Sequence, residues 1–127
     1  MTTYPTFVDH VVLRVAKLDR TERFYTAVLG QLPCRAEDSL TYQIGDTLLF
    51  LTLSNQPQQE PYEKEKVGLN HIGFGVRTLG ELQTIDARLR SVGIPNSGIK
   101  LDHYGKKEFI WLDDPDGMRI EFYLRPL

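Results

Sequence analysis

Residues 8–15 of this 127-residue chain read VDHVVLRV, and residues 69–76 read LNHIGFGV. In each stretch a histidine is followed by bulky apolar residues at every second position, which is the alternation of a β-strand with one buried face. The alternation predicts that His10 and His71 lie on the opposite face from those apolar residues. The recurrence predicts that the chain consists of two copies of one structural unit.

Each predicted strand is followed by the same series of elements. A helix comes first, with capping pairs Asp19–Glu22 and Thr78–Glu81 at the N-termini and Gly30 and Gly93 at the C-termini. Three short β segments follow each helix, near 34–36, 40–44 and 48–53 and again near 98–101, 108–112 and 118–124. This order predicts an α+β fold of two tandem βαβββ modules.

The composition is that of an ordinary globular protein, with 41% hydrophobic and 25% charged residues. We expect a single domain over 1–127, with module one at about 7–54, a polar linker at 55–66 and module two at about 67–125. The formal net charge of -2 gives no reason to expect nucleic acid or a membrane as partner. Cys34 is the single cysteine, so an internal disulfide is excluded and a cytoplasmic location is expected.

Three candidate metal ligands are predicted to share one surface. Glu121 lies in the last strand between apolar residues, and the strand alternation places it, like His10 and His71, on the side away from the helices. Burying an unpaired carboxylate there would be costly, and either a divalent cation or an arginine, Arg14 or Arg125, would remove the cost. Two imidazoles and one carboxylate form the ligand set of non-haem Fe(II) enzymes, which also suits Mn(II), Ni(II) or Zn(II).

The chain resembles the vicinal oxygen chelate superfamily, which includes glyoxalase I, bleomycin resistance proteins, fosfomycin resistance transferases and type I extradiol dioxygenases. Residues 9–15, 70–74 and 114–121 (DPDGMRIE) carry the resemblance. It implies paired βαβββ modules that form an open, cupped mixed-sheet cavity with the helices outside, and a homodimer that binds a small-molecule substrate. It also implies a divalent metal held by His10, His71 and Glu121.

Two further features relate the chain to branches of that superfamily. Glyoxalase I supplies a fourth ligand from the first module, and the alignment places Phe50 at that position, which disfavours the four-ligand lyases and isomerases. Residues 103–121 are similar to the extradiol dioxygenase signature, with His103 at the active-site histidine and Trp111 where tyrosine is expected. Tyr123 or Tyr104 is then the candidate to supply the missing phenol.

The resemblance therefore implies an extradiol-dioxygenase-like enzyme acting on a small aromatic diol, with Fe(II) as the favoured metal. His103 would move the substrate proton, although it reads equally well as a solvated residue of a polar loop. Phe50, Trp111 and Phe109 are expected to form cavity walls. Two alternatives stay open: a metal-dependent lyase or thiol transferase, and a non-catalytic small-molecule-binding protein.

Overall fold

The computed structural model describes residues 2–56 and 60–127, which fall into two compact units, Met1–Gln59 and Glu60–Leu127. Both units have the predicted βαβββ order, so the α+β fold of two tandem modules is confirmed. The first module consists of β1 His10–Val15, α1 Leu18–Leu29, β2 Cys34–Arg35, β3 Ser39–Ile44 and β4 Thr47–Leu53. The second consists of β5 His71–Val76, α2 Leu79–Ser91, β6 Lys100–Leu101, β7 Glu108–Asp113 and β8 Arg119–Leu124.

The two sheets share one topology. The strand order is β1-β4-β3-β2 in the first sheet and β5-β8-β7-β6 in the second. The two strands that lead their modules pair in parallel with the last strands, β1 with β4 and β5 with β8, and the remaining pairs are antiparallel. In register, Val12 lies opposite Phe50 in the first module, and Gly73 lies opposite Glu121 in the second.

The predicted strand alternation is confirmed by burial. In β8 the side chains of Ile120, Phe122 and Leu124 are buried, whereas those of Glu121 and Tyr123 are partly exposed. The buried set forms the core with the apolar face of α2, where Leu82, Ile85 and Leu89 are buried. Burial of a large apolar side chain contributes about 1.5–3 kcal/mol, so this pattern fixes which face of the sheet is left open.

The helix ends match the prediction except at one position. Thr78 and Glu81 form the predicted capping box, with Glu81 N–H donating to Thr78 Oγ1 at 3.1 Å and Thr78 N–H donating to Glu81 Oε1 at 2.9 Å. The predicted cap at Asp19 is wrong, because α1 begins at Leu18 and Lys17 occupies the N-cap position without a side-chain hydrogen bond. Asp19 instead pairs with Arg35 at 3.0 Å, a contact distant in sequence.

The predicted glycines terminate both helices: Gly30 (φ 69°) is the C-cap of α1, and Gly93 (φ 72°) directly follows the C-cap Val92 of α2, both in left-handed conformations. No helix among the described residues is both long enough and apolar enough to cross a membrane.

Part of the predicted linker packs on the second module. Pro57, Gln58 and Gln59 lie outside the described residues. Further along, Tyr62 N–H donates to the Asp116 carbonyl at 2.7 Å. A β-carbon built on Gly117, whose φ is +88°, would lie 3.0 Å from Pro61 Cβ. The segment before β5 therefore rests on the turn that leads into β8.

Candidate metal and substrate site

The open face of the second sheet carries two of the predicted metal ligands side by side. His71 begins β5 and Glu121 lies in the middle of β8, and His71 Nε2 is 3.6 Å from Glu121 Oε1. The Glu121 side chain is 17% exposed and that of His71 is 41% exposed. We call this surface, formed by β5, β7 and β8 on the side away from α2, the His71–Glu121 face.

Hydrogen bonds fix the orientation of the His71 ring. His71 Nδ1 lies 2.7 Å from Asn70 Oδ1, and Asn70 Nδ2 donates to the Lys64 carbonyl at 2.8 Å. Because the Asn70 amide nitrogen is committed to a carbonyl, its oxygen must face the ring and accept from Nδ1–H. In the neutral ring Nε2 then has no proton, and its lone pair points towards the Glu121 carboxylate. Two facing acceptors repel each other unless a proton or a metal ion lies between them, so the pair is a candidate site for a cation.

The first module repeats this arrangement with one replacement. His10 Nδ1 lies 2.8 Å from Asp9 Oδ2, so a side-chain oxygen again accepts from Nδ1–H and leaves Nε2 free. Phe50 occupies the register position of Glu121, as predicted, and its ring lies edge-on to His10 with 5.7 Å between centroids. The first module therefore has one candidate nitrogen ligand, and the second has a candidate nitrogen and a candidate carboxylate.

The structure brings together His71 and Glu121, whereas His10 belongs to the other compact unit. Over residues 2–56 and 60–127, no group of three or more His, Cys, Asp or Glu side chains is close enough together to hold a metal ion. Arg14 donates to the Leu53 carbonyl at 3.3 Å and Arg125 lies 5.8 Å from the Tyr123 ring centroid. The partner of Glu121 is His71.

Open space lies above the sheet between these side chains. Gly73 is opposite Glu121 in the β5–β8 ladder, and a β-carbon built on it would meet no atom within 4 Å. A side chain at this position would fill space beside the His71–Glu121 pair. The glycine therefore leaves room for a ligand at the pair.

Trp111 lies on the same face, opposite Glu121 in the β7–β8 ladder. The guanidinium carbon of Arg119 stacks over its ring at 4.0 Å from the centroid, and Arg119 Nε donates to Asp113 Oδ1 at 2.6 Å. The indole is therefore held between its own strand and the Arg119 guanidinium. It forms a flat wall beside the His71–Glu121 pair.

Tyr123 follows Glu121 on the same face and is anchored at its hydroxyl. Its phenol donates to Asp102 Oδ2 at 2.7 Å, and its ring lies 6.2 Å from that of Phe109. The hydrogen bond to Asp102 raises the pKa of Tyr123, while the pKa of Asp102 is lowered by Tyr123 and then by the Gly105 amide. Tyr123 is therefore a neutral phenol at neutral pH.

A protein-family model that matches most of the chain shows its family. The model of the Glyoxalase/Bleomycin resistance protein/Dioxygenase superfamily matches residues 7–122. The chain belongs to this superfamily. The matched range includes both histidines, Phe50 and Glu121.

Relatives within the superfamily have several names. The chain is 27% identical to the uncharacterized protein YaeR of Escherichia coli, over 91% of this chain and 94% of YaeR. It is 29% identical to a lactoylglutathione lyase of Haemophilus influenzae, over 89% of this chain and 88% of the lyase. A glyoxalase family protein of Enterococcus faecalis superposes with a TM-score of 0.74 at 26% identity, covering 92% of this chain and 96% of that protein.

His103 is the predicted proton carrier. Among the residues that the structure describes, no contact joins it to His71 or Glu121. It is exposed in the turn between β6 and β7, where Asp102 closes the loop through the Tyr104 and Gly105 amides at 3.2 and 3.0 Å. The loop packs closely on β8, because a β-carbon on Gly105 would lie 1.7 Å from the Tyr123 hydroxyl oxygen. The structure thus ties the loop that carries His103 to Tyr123.

Three residues with roles in this geometry were missed by sequence reasoning. Asn70 orients His71, Asp102 anchors Tyr123 and Arg119 stacks on Trp111. Asn70 had a signal, since a residue with a side-chain oxygen precedes the histidine in both modules. Asp102 and Arg119 had none, because their partners are selected by cross-strand register and by rotamers.

Proposed function

We propose that this chain is a metal-dependent enzyme whose divalent ion is held by His10, His71 and Glu121. The observation that carries the proposal is the facing pair of His71 Nε2 and Glu121 Oε1 at 3.6 Å, with the ring fixed by Asn70. The donor set suits a borderline metal, because imidazole nitrogen and carboxylate oxygen together favour Fe, Mn, Ni or Zn. His10 would add the third ligand from the first module, since Asp9 orients its ring in the same way.

We further propose that the reaction is extradiol-type oxidative cleavage of a small aromatic diol, with Fe(II) as the metal. Phe50 supports this, because phenylalanine cannot ligate and three protein ligands leave positions for a bidentate diol and O₂. When bound, the metal supplies a Lewis acid and an electron path between diol and O₂. The flat walls of Trp111 and Phe109, together with Phe50, suit an aromatic ring.

Tyr123 and His103 also have proposed roles. Tyr123 Oη donates to Asp102, so its remaining lone pairs are available to accept a substrate hydroxyl proton in a hydrogen bond. The His103 imidazole is exposed, and we propose that it takes up the proton that the diol loses on binding. An imidazole suits this step because its ring nitrogens can both accept and donate a proton.

A lyase or thiol transferase is the second candidate function. The names of two relatives favour it, the lactoylglutathione lyase of Haemophilus influenzae and a probable chloroplastic lactoylglutathione lyase of Arabidopsis thaliana. The second is 28% identical over 91% of this chain, which spans only 35% of that protein. Phe50 at the fourth ligand position is the feature of this chain that argues against a glyoxalase-type centre.

The deciding experiment is elemental analysis of protein prepared anaerobically with Fe(II), Mn(II), Ni(II) and Zn(II) all offered. We expect about one metal ion per chain, lost in Glu121→Ala and kept in Glu108→Ala. Glu108 is the control because its neighbour Phe109 pairs with Tyr123, so strand alternation places the Glu108 carboxylate on the opposite face of the sheet from Glu121. Oxygen uptake with catechol then separates dioxygenase from lyase. Metal-free wild-type protein would overturn the enzyme proposal and leave a small-molecule-binding protein. Equal loss in both variants would mean that Glu121 is not a ligand.

We also propose that two copies of the chain form a homodimer and that each dimer binds small-molecule substrates. Light scattering on the purified protein tests the stoichiometry, and a single-chain mass at micromolar concentration would overturn it.

A further inference from the structure

Arg119 is a rigidly held cation on the His71–Glu121 face. Its side chain is 20% exposed, its guanidinium carbon lies 4.0 Å from the Trp111 ring centroid, and its Nε donates to Asp113 Oδ1 at 2.6 Å. Stacking and ion pairing together leave few rotamers to an otherwise flexible side chain. Such preorganisation lowers the entropy that a ligand contact would cost.

The hydrogen-bond donors of Arg119 are mostly unused. A guanidinium has five N–H donors and no acceptor. Nε–H goes to Asp113, and the two Nη groups make no hydrogen bond with the residues that the structure describes. Stacking on an indole occupies the flat face of the group and leaves its in-plane N–H edge free. That edge matches a carboxylate, which can accept two parallel hydrogen bonds.

The position of this edge relates it to the proposed substrate. Arg119 lies beside His71 in the β5–β8 ladder and two residues before Glu121 on β8, a separation of about 7 Å along a strand. A small aromatic molecule that reached the His71–Glu121 pair could therefore extend an acidic substituent to Arg119. Trp111, which lies opposite Glu121 and under Arg119, would form one wall for the ring.

A second cationic region lies beside Tyr123, and its side chains are held by fewer contacts than Arg119. Arg125 and Lys107 line a cavity of about 370 Å³ beside Tyr123, and Arg125 stays 5.8 Å from the tyrosine ring centroid. Arg125 is exposed, so water screens it more strongly than Arg119. It is a rival anion site and a matched control, because it has the same charge and directly follows the strand that begins at Arg119.

We propose that Arg119 binds a carboxylate of the substrate, so that the substrate class is an aromatic diol acid. The diol part rests on the proposed function, whereas the carboxylate part rests on Arg119, Trp111 and Asp113 alone. The donors at Arg119 select a planar oxyanion over a neutral substituent of the same shape. Arg119 is thus a specificity-determining residue, and Trp111 is its platform.

Trp111 is the single tryptophan of the chain, so its fluorescence reports on this site directly. The full-length protein without added metal is titrated with benzoate and with benzamide, which have similar shapes and different charges. We expect saturable quenching with benzoate, at least about tenfold weaker binding of benzamide, and a similar weakening of benzoate binding in Arg119→Gln. Arg125→Gln should bind benzoate as the wild type does.

Two other variants protect the test against a folding defect in Arg119→Gln. Arg119→Lys keeps the positive charge but loses the paired N–H donors of the guanidinium. Benzoate binding should therefore weaken while the melting temperature stays near that of the wild type. Asp113→Asn keeps a side-chain oxygen that can accept from Arg119 Nε–H, so Arg119 stays oriented, and it removes a competing negative charge. Benzoate should therefore bind about two- to fivefold more tightly. A purely structural Arg119–Asp113 pair predicts no such gain.

The outcomes separate this inference from the proposed function. Equal binding of benzoate and benzamide, or benzoate binding that Arg125→Gln weakens and Arg119→Gln does not, would overturn the role of Arg119. If metal analysis succeeds and this titration fails, only the carboxylate inference is wrong. If benzoate binding depends on Arg119 and no metal is retained, only the proposed metal function is wrong.

Discussion

The two modules have the same fold and register, and they differ in the residue that faces the histidine. In the first module His10 meets the edge of Phe50, with 5.7 Å between ring centroids. In the second His71 meets Glu121, with 3.6 Å between Nε2 and Oε1. Each histidine has a side-chain oxygen before it, from Asp9 or Asn70, that accepts from Nδ1–H. The comparison shows that one strand position decides whether a module presents an aromatic surface or a carboxylate.

The largest expected effect comes from making the second module like the first. Glu121→Phe removes the carboxylate opposite His71, so metal binding should fall from about one ion per chain to the background of metal-free protein. The fold should persist, because an aromatic residue already occupies the matching position of the first sheet. Elemental analysis and circular dichroism measure the two quantities. Full metal content in this variant would contradict the assignment of Glu121.

The next effect concerns the residue that orients the ring. Asn70→Leu frees the His71 ring and should weaken metal affinity about 10- to 100-fold, the usual cost of losing a hydrogen bond to a ligating histidine. Asn70→Asp copies the Asp9 arrangement of the first module and should restore most of that affinity. Competition with a chelator measures both constants. Unchanged affinity in Asn70→Leu would show that the ring needs no such support.

The converse substitution should strengthen metal binding. Phe50→Glu places a carboxylate beside His10, and the gain for Zn(II) or Ni(II) should be about tenfold, as for one added charge-assisted contact. Oxygen uptake with diols should fall at the same time, because the added ligand fills a position that the diol or O₂ would use. Phe50→Leu is the control, since it removes the ring without adding a ligand. A metal affinity equal to that of Phe50→Leu would contradict the equivalence of the two positions.

The smallest effect distinguishes the two helices. Thr78→Ala removes the capping box of α2 and should lower the free energy of unfolding by about 1 kcal/mol. Lys17→Ala at the matching position of α1 should change it little, because Lys17 makes no capping hydrogen bond. Chemical denaturation of both variants measures the difference. Equal losses would mean that α1 has a cap interaction that its hydrogen bonds do not reveal.

Features that depend on strand alternation were predictable from the sequence. His71, Glu121 and Phe50 each lie on the predicted face, because a period of two and a buried apolar set leave one solution. Contacts made by long or distant side chains were not predictable. Asp19 pairs with Arg35 and does not cap α1, and the anchoring of Tyr123 by Asp102 joins residues from β8 and a loop. Such contacts depend on side-chain rotamers and strand register, which cannot be read from a single sequence.

The contact of Gly105 with the Tyr123 hydroxyl has a consequence for how the loop between β6 and β7 tolerates change. The space for a β-carbon at this position is already filled by the phenol oxygen, so any larger residue must displace the phenol and its hydrogen bond to Asp102. In a saturation library of the loop, glycine should therefore be the favoured residue at position 105. Tyr104, one residue earlier, is 96% exposed and should accept most amino acids. Among related sequences, position 105 should therefore vary less than position 104.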